Sequence, residues 1–351
     1  MTPDQEMRAW RVHQYGSPLE VLQLDSAPIP EPGPDEVRVR VQAIPLNLND
    51  LERITGGNMM VRPEFPYSPG MEIMGVVDAC GAGAEEWEGR RVVATTKGAF
   101  GGFAEFAVCP TAAMFDMPDD IPLPDAAALF FPFHLAWLGL FDRAELGAGE
   151  SVLIHAAAGG SGSAAVQLAH HAGARVFATA GSDKKVALCR ELGADVAINY
   201  TTDDFADVVL AETDGAGVDV VFDNVGEAVM EKSMNCIAYN GHYLMMGFAS
   251  NKVVADEKFL VPRRILLGNV KMSGVLLNYA NDAMVKMLKQ ALGWNVAPRE
   301  LGVRISGEIV ELVRSKAVRP VVGQQVEFDQ LPAAVEAMAS RATMGRTIVM
   351  V

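Results

Sequence analysis

The chain has few cysteines and fewer basic than acidic residues. Only 4 of its 351 residues are cysteine, and no two of them stand in a CxxC spacing. This pattern predicts free thiols in a reducing compartment rather than a disulfide framework. With 29 Lys and Arg against 44 Asp and Glu, the formal net charge is −15. Such an acidic chain repels phosphate backbones and anionic lipid, so we expect neither nucleic acid nor a membrane as its partner.

Long apolar runs and targeting segments are also lacking. No apolar stretch reaches the roughly 18 residues that cross a bilayer. The opening stretch MTPDQEMRAW has no basic region followed by an apolar run, so it does not predict a signal peptide. We therefore expect a cytoplasmic protein. Half of the residues are hydrophobic and 21% are charged, a globular composition for which this length favours two domains.

The first third of the chain is typical of β structure. DEVRVRVQAI alternates polar and apolar residues with period two, as a half-buried strand does. Further short strands are predicted at MRAWRVHQY, EVLQLDSA, EIMGVVDACG, RRVVATT and GGFAEFAVCP. Because glycine, proline and acidic turns separate them, we expect a β-rich domain that forms a partly closed barrel.

The middle of the chain, residues 151–279, alternates apolar strands with helices. The strands SVLIHAA, RVFATA, DVAINY, VDVVFDNV, GHYLMMGF and VKMSGVLL are almost wholly apolar, as parallel strands buried on both faces are. This alternation predicts a doubly wound α/β sheet. The segments after residue 279, which end in the strand RTIVMV, do not extend the alternation. We expect them to return to the first domain and complete it.

A glycine-rich turn joins the first of these strands to a helix. Residues 157–162, AAGGSG, fit the GxGxxG dinucleotide fingerprint with Ala157 in the first glycine slot. Gly159 would let the backbone approach a pyrophosphate, and Gly162 would let the helix pack closely on the strand. The amide groups and dipole at the helix start would then face the phosphates. The turn predicts dinucleotide binding; the alternative is an empty structural turn.

The end of the second strand distinguishes NADP from NAD. NAD sites place an acidic residue there for the ribose hydroxyls, whereas this chain has ATAGSDKK. Small residues leave room for a 2′-phosphate, Ser182 can donate to it and Lys185 can neutralise it. Asp183 is expected to cap the next helix. We therefore predict NADP(H), although the lysine pair also fits an ordinary solvated helix face.

Several motifs together resemble those of the medium-chain dehydrogenase/reductase superfamily, and more narrowly its zinc-independent quinone oxidoreductase branch. They are HAAAGGSGSAAVQLA, GSDKK, LGADVAINY and SRATMGRTIV, with LNLNDLERITG and YSPGMEIMGVV in the first domain. The resemblance spans nearly the whole chain. It implies a GroES-like β-rich catalytic domain at residues 1–134 and 281–351 and a Rossmann NADP-binding domain at residues 135–280. It also implies a homodimer that pairs the strand VKMSGVLLNY edge to edge.

The resemblance also bears on zinc. Zinc-dependent relatives carry Gly-His-Glu where this chain reads Gly70, Met71 and Glu72, and they have a cysteine earlier in the catalytic domain. Here the first cysteine, Cys80, comes after that motif. Because zinc needs three or four N, S or O ligands, we expect no metal and a hydrogen-bonding role for Glu72.

Carried onto this sequence, the family's cofactor contacts fall on three segments and three single residues. The turn at residues 158–162 would hold the pyrophosphate; the segment at 181–185 would surround the 2′-phosphate. Tyr200 would lie against the adenosine end, and Arg341 would reach the cofactor or form a surface salt bridge. Residues on the nicotinamide side would be Val225 and the 247–249 segment. The full cofactor set is Ala158, Gly159, Gly160, Ser161, Gly162, Gly181, Ser182, Lys185, Tyr200, Val225, Gly247, Phe248, Ala249 and Arg341.

The catalytic candidates are Asn47 and Asp50, which match the family's N-x-x-D near the nicotinamide; Asn47 could equally cap a turn. Where many relatives have a substrate-contacting tyrosine, this chain has Glu52, and Leu135 replaces a common threonine. Glu52 or Tyr67 is a candidate proton donor, and His134 fits a packed histidine better than an acid. Neither a Ser-His-Asp nor a Cys-His arrangement is indicated, and hydride transfer from a nicotinamide requires none.

These observations predict an NADPH-dependent oxidoreductase that transfers hydride, without a metal, to a quinone or a related electrophilic carbonyl compound. An alternative is an enoyl or enone double-bond reductase of the same fold, acting on a 2-enoyl thioester or an alkenal. A further alternative is an NADP-binding sensor or structural protein with little turnover. An acyl-thioester substrate would need basic residues at its binding site. Such candidates, which also fit solvated surface positions, are Arg53, Arg62, Arg263 and Arg264.

Overall fold

The computed structural model describes residues 6–57, 62–247 and 262–351, and the chain divides into two compact units. The first comprises residues 1–130, 278–306 and 322–351, and the second residues 131–277 and 307–321. The contacts group residues 307–321 with the second unit, whereas the sequence predicts an uninterrupted return to the first domain from residue 281. The domain boundaries at 134/135 and 280/281 stay a prediction.

The first unit is rich in strands, as predicted. Its strands are β1 (Glu6–Val12), β2 (Leu22–Pro28), β3 (Glu36–Pro45), β4 (Glu72–Cys80), β5 (Arg91–Thr95), β6 (Phe106–Pro110), β7 (Met114–Asp116), β14 (Tyr279–Ala280), β15 (Ala297–Pro298), β16 (Val322–Glu327) and β17 (Arg346–Met350). Its helices are α1 (Pro18–Val21), α2 (Leu48–Thr55), α9 (Asp282–Leu292) and α11 (Leu331–Ala339). Helix α10 (Arg299–Arg314) begins in this unit and ends in the second.

The long strand β3 organises the first unit. Its period-two pattern buries Val37, Val39 and Val41, and the arginines between them point the other way. β3 pairs antiparallel with β4 on one edge and with β6 and β17 on the other. β16 pairs with β17 at the end of the sheet. The last strand of the chain therefore completes the first sheet, as the sequence predicts.

The second unit alternates strands and helices. Its strands are β8 (Ser151–Ile154), β9 (Arg175–Ala180), β10 (Val196–Asn199), β11 (Val218–Asp223), β12 (Ile237–Met245) and β13 (Lys271–Gly274). Its helices are α3 (Phe130–Trp137), α4 (Gly160–His171), α5 (Asp183–Glu191), α6 (Phe205–Glu212), α7 (Glu227–Ser233) and α8 (Pro262–Gly268); a π-helical segment, Leu138–Arg143, continues α3.

The strands of the second unit form one parallel six-stranded sheet in the order β10-β9-β8-β11-β12-β13. Val152, Leu153 and Ile154 of β8 are fully buried, because helices cover both faces of such a sheet. From β8 the chain proceeds to one side through β9 and β10, and from β11 to the other side. The strand order thus reverses between β8 and β11, and ligands of doubly wound sheets bind at the carboxyl ends of strands at such a point.

No helix within residues 6–57, 62–247 and 262–351 combines the length and apolar character needed to span a membrane.

Candidate functional site

The glycine-rich turn follows β8 directly and leads into α4. Ala156 takes a left-handed conformation with a φ of 51°, and the amide of Gly159 donates to the Ala156 carbonyl at 2.9 Å. Gly159 is the N-cap of α4, with an extended backbone. The first amide groups of a helix lack carbonyl partners within the helix. The turn therefore presents N–H groups and a helix dipole at the reversal point of the sheet.

Gly162 is the position in this turn that requires glycine on steric grounds. A Cβ placed there would lie 2.2 Å from the Ala156 carbonyl oxygen and 2.7 Å from the Cα of Ala157. Both are backbone atoms, which cannot rotate away. Gly159 has no such steric requirement, since a Cβ added there would meet only the Ala156 carbonyl oxygen, at 3.2 Å. The close approach of α4 to the turn, predicted for the third glycine of the fingerprint, is therefore present.

Four of the sequence-predicted residues lie together at the carboxyl ends of β9 and β10. The Tyr200 amide donates to the Ala180 carbonyl at 3.1 Å. Its hydroxyl lies over Gly181, where a Cβ would come within 2.5 Å of it. The Ser182 hydroxyl accepts from the Lys185 amide at 3.4 Å. Lys185 is half-buried, and this burial lowers the pKa of its ammonium group.

The residue that caps α5 differs from the prediction. The sequence predicts Asp183 as the cap, but Ser182 occupies that position and Asp183 is the first residue of the helix. The Asp183 carboxylate instead accepts from the Asn199 side chain at 2.8 Å. The acidic group nearest in sequence to the end of β9 is thus engaged by Asn199.

The predicted nicotinamide side begins at the end of β11. Asp223 is fully buried, and its Oδ1 accepts from the amides of Val225 at 2.7 Å and Gly226 at 2.9 Å. The Gly247 amide donates to the Asp223 carbonyl at 2.9 Å. A Cβ on Gly247 would lie 2.0 Å from the carbonyl carbon of Asn224, so only glycine fits against this turn. Phe248 and Ala249 lie outside the described residues.

Hydrogen-bonded polar side chains are buried beneath these loops, and the sequence predicts no role for them. His155 lies between the Thr179 hydroxyl, 3.0 Å from Nδ1, and the Ser233 hydroxyl, 2.8 Å from Nε2. Burial lowers the pKa of His155 to about 3, so the imidazole is neutral. The Tyr243 hydroxyl donates to Asp223 at 2.8 Å, and burial raises the pKa of that carboxyl to about 6. These contacts fix the carboxyl ends of β8, β9, β11 and β12 relative to one another.

The catalytic candidates of the first unit belong to a second buried network. The Asn47 side chain donates to Oε2 of Glu72 at 2.9 Å and accepts from Arg346 at 2.8 Å. Arg346 also donates to Oε2 of Glu72 at 2.5 Å. Asn47, Glu72 and Arg346 are all less than a tenth exposed. The hydrogen-bonding role expected of Glu72 is therefore present, whereas Arg346, which lies in the motif SRATMGRTIV, is assigned no role from the sequence.

Asp50 secures the start of α2 in this network. Its Oδ2 accepts from the Asn47 amide at 3.0 Å and its Oδ1 from the Met71 amide at 3.1 Å. Burial raises the pKa of Asp50 to about 6, against the opposing effect of Arg53. Because Glu72 and Arg346 bind its side-chain amide, Asn47 acts in the structure as a positioning group at the N-cap of α2. A direct part in catalysis for Asn47 and Asp50 stays a prediction.

The other candidates of the first domain and its border are engaged within the protein. The Tyr67 hydroxyl donates to the Arg53 carbonyl at 2.5 Å, and burial raises its pKa. Glu52 is buried on α2. His134 is buried, which lowers its pKa to about 3. Arg341 is exposed with a left-handed φ of 57°; its contact with a cofactor stays a prediction.

Zinc does not fit the residues present. Met71 stands where zinc-dependent relatives carry histidine, and it is buried at 8% exposure with its amide bound to Asp50. Within the described ranges no group of three or more His, Cys, Asp or Glu side chains is arranged to hold a metal ion. The expectation of a metal-independent protein stays a prediction.

A parallel sheet with its glycine turn in one unit, and a β-rich sheet completed by the last strand in the other, are typical of two-domain nucleotide-binding dehydrogenases. A family model described as alcohol dehydrogenase GroES-like domain matches residues 33–119, and one described as zinc-binding dehydrogenase matches residues 160–293. A quinone oxidoreductase of Pseudomonas aeruginosa is 31% identical over 336 residues, which are 96% of this chain and 97% of that protein.

Two further comparisons agree. A 2-haloacrylate reductase of a Burkholderia species is 34% identical over 70% of this chain and 74% of its own length. The crystal structure of Escherichia coli quinone oxidoreductase complexed with NADPH matches with a TM-score of 0.85 and 26% identity, covering 98% of this chain and all of that one. The chain therefore belongs to the medium-chain dehydrogenase/reductase superfamily, in its quinone oxidoreductase-like branch, and is an enzyme of this type.

Proposed function

We propose that this enzyme is an NADPH-dependent reductase that transfers hydride, without a metal, to a quinone or a related electrophilic carbonyl compound. The observation that carries the cofactor assignment is the grouping of Gly181, Ser182, Lys185 and Tyr200 at the ends of β9 and β10. A hydroxyl group and an ammonium group are the partners that a 2′-phosphate requires. The related Escherichia coli structure contains NADPH.

In this proposal each loop at the carboxyl edge of the sheet holds one part of NADPH. The turn at residues 158–162 binds the pyrophosphate through main-chain amides, because Gly159 leaves its backbone open to close approach. Val225 and Gly247 form the nicotinamide side, together with Phe248 and Ala249. Arg341 contributes from the C-terminal segment. Asp223 is buried and holds Val225 in place, because its carboxylate accepts hydrogen bonds from the main-chain amides of Val225 and Gly226.

Bound NADPH supplies the hydride, so the protein has to orient the reactants and exclude water. Reduction of a quinone to a hydroquinone consumes one hydride and one proton in total. Hydride addition gives the hydroquinone monoanion, and water can supply the one proton that it still takes, so the reaction needs no buried acid. Of the two candidate proton donors, Tyr67 is engaged by the Arg53 carbonyl and Glu52 is buried on α2. Neither the hydride transfer nor the protonation requires a metal.

A second candidate is reduction of a carbon–carbon double bond conjugated to a carbonyl group. It is favoured by the relative whose name is 2-haloacrylate reductase. Such a reaction must stabilise and protonate an enolate. Glu52, buried on α2 next to the Asn47–Asp50 network, is the residue of the first unit that we assign to this task.

We also propose a homodimer built on the free edge of β13. Among the described strands, β13 pairs with β12 alone. Exposed apolar side chains lie near this edge: Tyr239 on β12 is 83% exposed, and Leu266 and Leu267 on α8 are 74% and 69% exposed. An open strand edge whose neighbouring elements expose apolar side chains favours pairing with a second copy. The cytoplasmic location stays a prediction, consistent with four free cysteines, three of them buried.

The test is a steady-state comparison of cofactors and acceptors. The enzyme is mixed with NADPH or NADH and with a small quinone, an enone or an enoyl thioester, and the nicotinamide absorbance is followed. We expect quinone-dependent oxidation of NADPH, with NADH much slower. Turnover with the enone or thioester alone would establish the second candidate. Tight NADPH binding without oxidation by any acceptor would refute both and leave a sensor or structural protein.

A further inference from the structure

Beside the C-terminal end of α2, the first unit holds a group of four aromatic rings and two arginines, which we call the aromatic–arginine cluster. The rings form a continuous series, in which Tyr15 meets Phe65 at 4.9 Å, Phe65 stacks on Tyr67 at 5.5 Å, and Tyr67 meets Phe100 at 5.6 Å between centroids. Phe65 is 43% exposed, so the series opens to solvent. The cluster consists of Tyr15, Arg53, Arg62, Phe65, Tyr67 and Phe100.

The two arginines lie on rings at the ends of this series. The Arg53 guanidinium is 5.2 Å from the centroid of Phe100, and that of Arg62 is 5.5 Å from the centroid of Tyr15. Both charges act on the phenol between them. Burial raises the pKa of Tyr67, and Arg53 and Arg62 oppose that rise. The two cations therefore converge on one aromatic surface.

These positive charges have no salt-bridge partner within the part of the chain that the structure describes, although that of Arg53 opposes the rise in the pKa of the buried Asp50 carboxyl. Neither Arg53 nor Arg62 forms an ion pair with a carboxylate there. Their hydrogen bonds go to main-chain carbonyls: Arg53 donates to Asn49, near the start of α2, at 2.8 Å, and Arg62 donates to Gly56, just past its end, at 3.2 Å. The Nε of Arg53 is buried without a hydrogen-bond partner among these residues.

The carboxylate of Asp50, on the same helix, does not fill this role. It accepts main-chain amides of Asn47 and Met71. Several other arginines that stack on rings also pair with a carboxylate. Arg90, for example, lies 4.8 Å from the ring centroid of Trp87 and 3.3 Å from Asp116, whereas Arg299, which stacks on Trp87 and Phe115, donates to main-chain carbonyls. Two guanidinium groups on one series of rings, without a salt-bridged carboxylate, suit a planar organic anion, since arginine binds carboxylates and sulfonates while the rings stack on the anion's aromatic part.

We propose that the aromatic–arginine cluster is a subsite that binds the anionic group of a planar, conjugated substrate. This inference rests on the proposed function and on the expectation, from the N-x-x-D match, that Asn47 lies near the nicotinamide. The Arg53 guanidinium reaches back to the Asn49 carbonyl, and Asn49 lies two residues, or about 3 Å along the helix axis, from Asn47. The preferred acceptor is therefore an aryl compound that carries a carboxylate or sulfonate about that far from its electrophilic carbon or oxygen.

The first arm of the test measures binding without turnover. The enzyme with NADP⁺ bound is titrated calorimetrically with naphthalene-2-sulfonate and with the neutral 2-naphthalenemethanol. We expect tighter binding of the sulfonate, and about a tenfold rise in its Kd in Arg53→Met and in Arg62→Met, because each removes a charge-assisted contact. The neutral ligand and the matched control Arg90→Met should show no change. Equal binding of both ligands, or unchanged sulfonate binding in the two variants, would overturn the subsite.

The second arm measures selectivity during turnover with NADPH. The ratio of kcat/KM for 1,4-naphthoquinone-2-sulfonate to that for 1,4-naphthoquinone should fall about tenfold in Arg62→Met, mainly through KM, and recover partly in Arg62→Lys. An unchanged ratio with active enzyme would refute the subsite alone. Absence of turnover with either quinone, together with arginine-dependent sulfonate binding in the first arm, would refute the proposed function and retain the subsite.

Discussion

The two glycines that flank the start of α4 should respond differently to the same added methyl group. In Gly159→Ala, the backbone is already extended and the Cβ meets only one oxygen, at 3.2 Å. In Gly162→Ala, the Cβ would lie 2.2 Å from the Ala156 carbonyl oxygen, so α4 has to move away from the turn. The first change leaves the fold intact and obstructs a bound pyrophosphate; the second strains the fold itself.

The magnitudes follow from these contacts. Gly159→Ala should leave the unfolding free energy within about 0.5 kcal/mol, since alanine tolerates this conformation and restricts the unfolded chain. It should raise the Kd for NADPH by about 10-fold to 100-fold, the loss of one charge-assisted amide contact. Gly162→Ala should destabilise by about 1–3 kcal/mol, as overpacking does, despite the better helix propensity of alanine.

The assay pairs a thermal midpoint with an NADPH titration for each variant. The account predicts a stable Gly159→Ala protein that binds NADPH poorly, and a Gly162→Ala protein whose midpoint drops. If Gly159→Ala bound NADPH as tightly as the unmodified protein, the turn would be structural only, and the pyrophosphate assignment would be refuted. An unchanged midpoint in Gly162→Ala would contradict the steric argument.

Three further predictions concern charged groups. Lys185→Ala should raise the Kd for NADPH about 10-fold to 100-fold and leave that for NADH unchanged, while its exposed neighbour in Lys184→Ala changes neither; equal effects on both cofactors would refute the 2′-phosphate contact. The raised pKa of Asp223, about 6 against an ordinary 3.8, means that the folded protein binds this proton more tightly than the unfolded chain. The unfolding free energy should therefore fall by up to about 3 kcal/mol between pH 4 and pH 7 relative to Asp223→Asn; parallel urea-derived profiles for the two proteins would contradict this. Arg346→Met leaves the buried Glu72 carboxylate without its cation and should destabilise by about 3–5 kcal/mol in urea unfolding; a loss below about 1 kcal/mol would show that the ion pair is not needed.

The parts of the fold that depend on local pattern were predictable from the sequence. The run of valines in β3 and the apolar strands around the glycine turn carry their periodicity within a few residues, which determines strand or helix directly. The steric need for glycine at Gly162 follows from the fingerprint and is met in the structure. Even so, boundaries shifted, since β12 begins at Ile237, four residues before the predicted strand.

The parts that depend on distant pairing were not predictable. Arg346 bonds to Asn47 across 299 positions, and His155 to Ser233 across 78, and no local pattern marks such partners. The cap of α5 could not be chosen either, because Ser182 and Asp183 are adjacent and both are good capping residues. Similarly, nothing in the sequence around Asn47 indicates that Glu72 and Arg346 bind its side-chain amide.

The central claim is hydride transfer from NADPH to a quinone within this protein. The direct measurement is a single-turnover experiment in which a preformed complex with NADPH is mixed rapidly with 1,4-naphthoquinone and the nicotinamide absorbance is followed. The account predicts oxidation of one equivalent of NADPH far faster than without the protein, slower with deuterium at the transferred position, and matched by hydroquinone formation. Oxidation at the uncatalysed rate by a protein that binds NADPH tightly would contradict it.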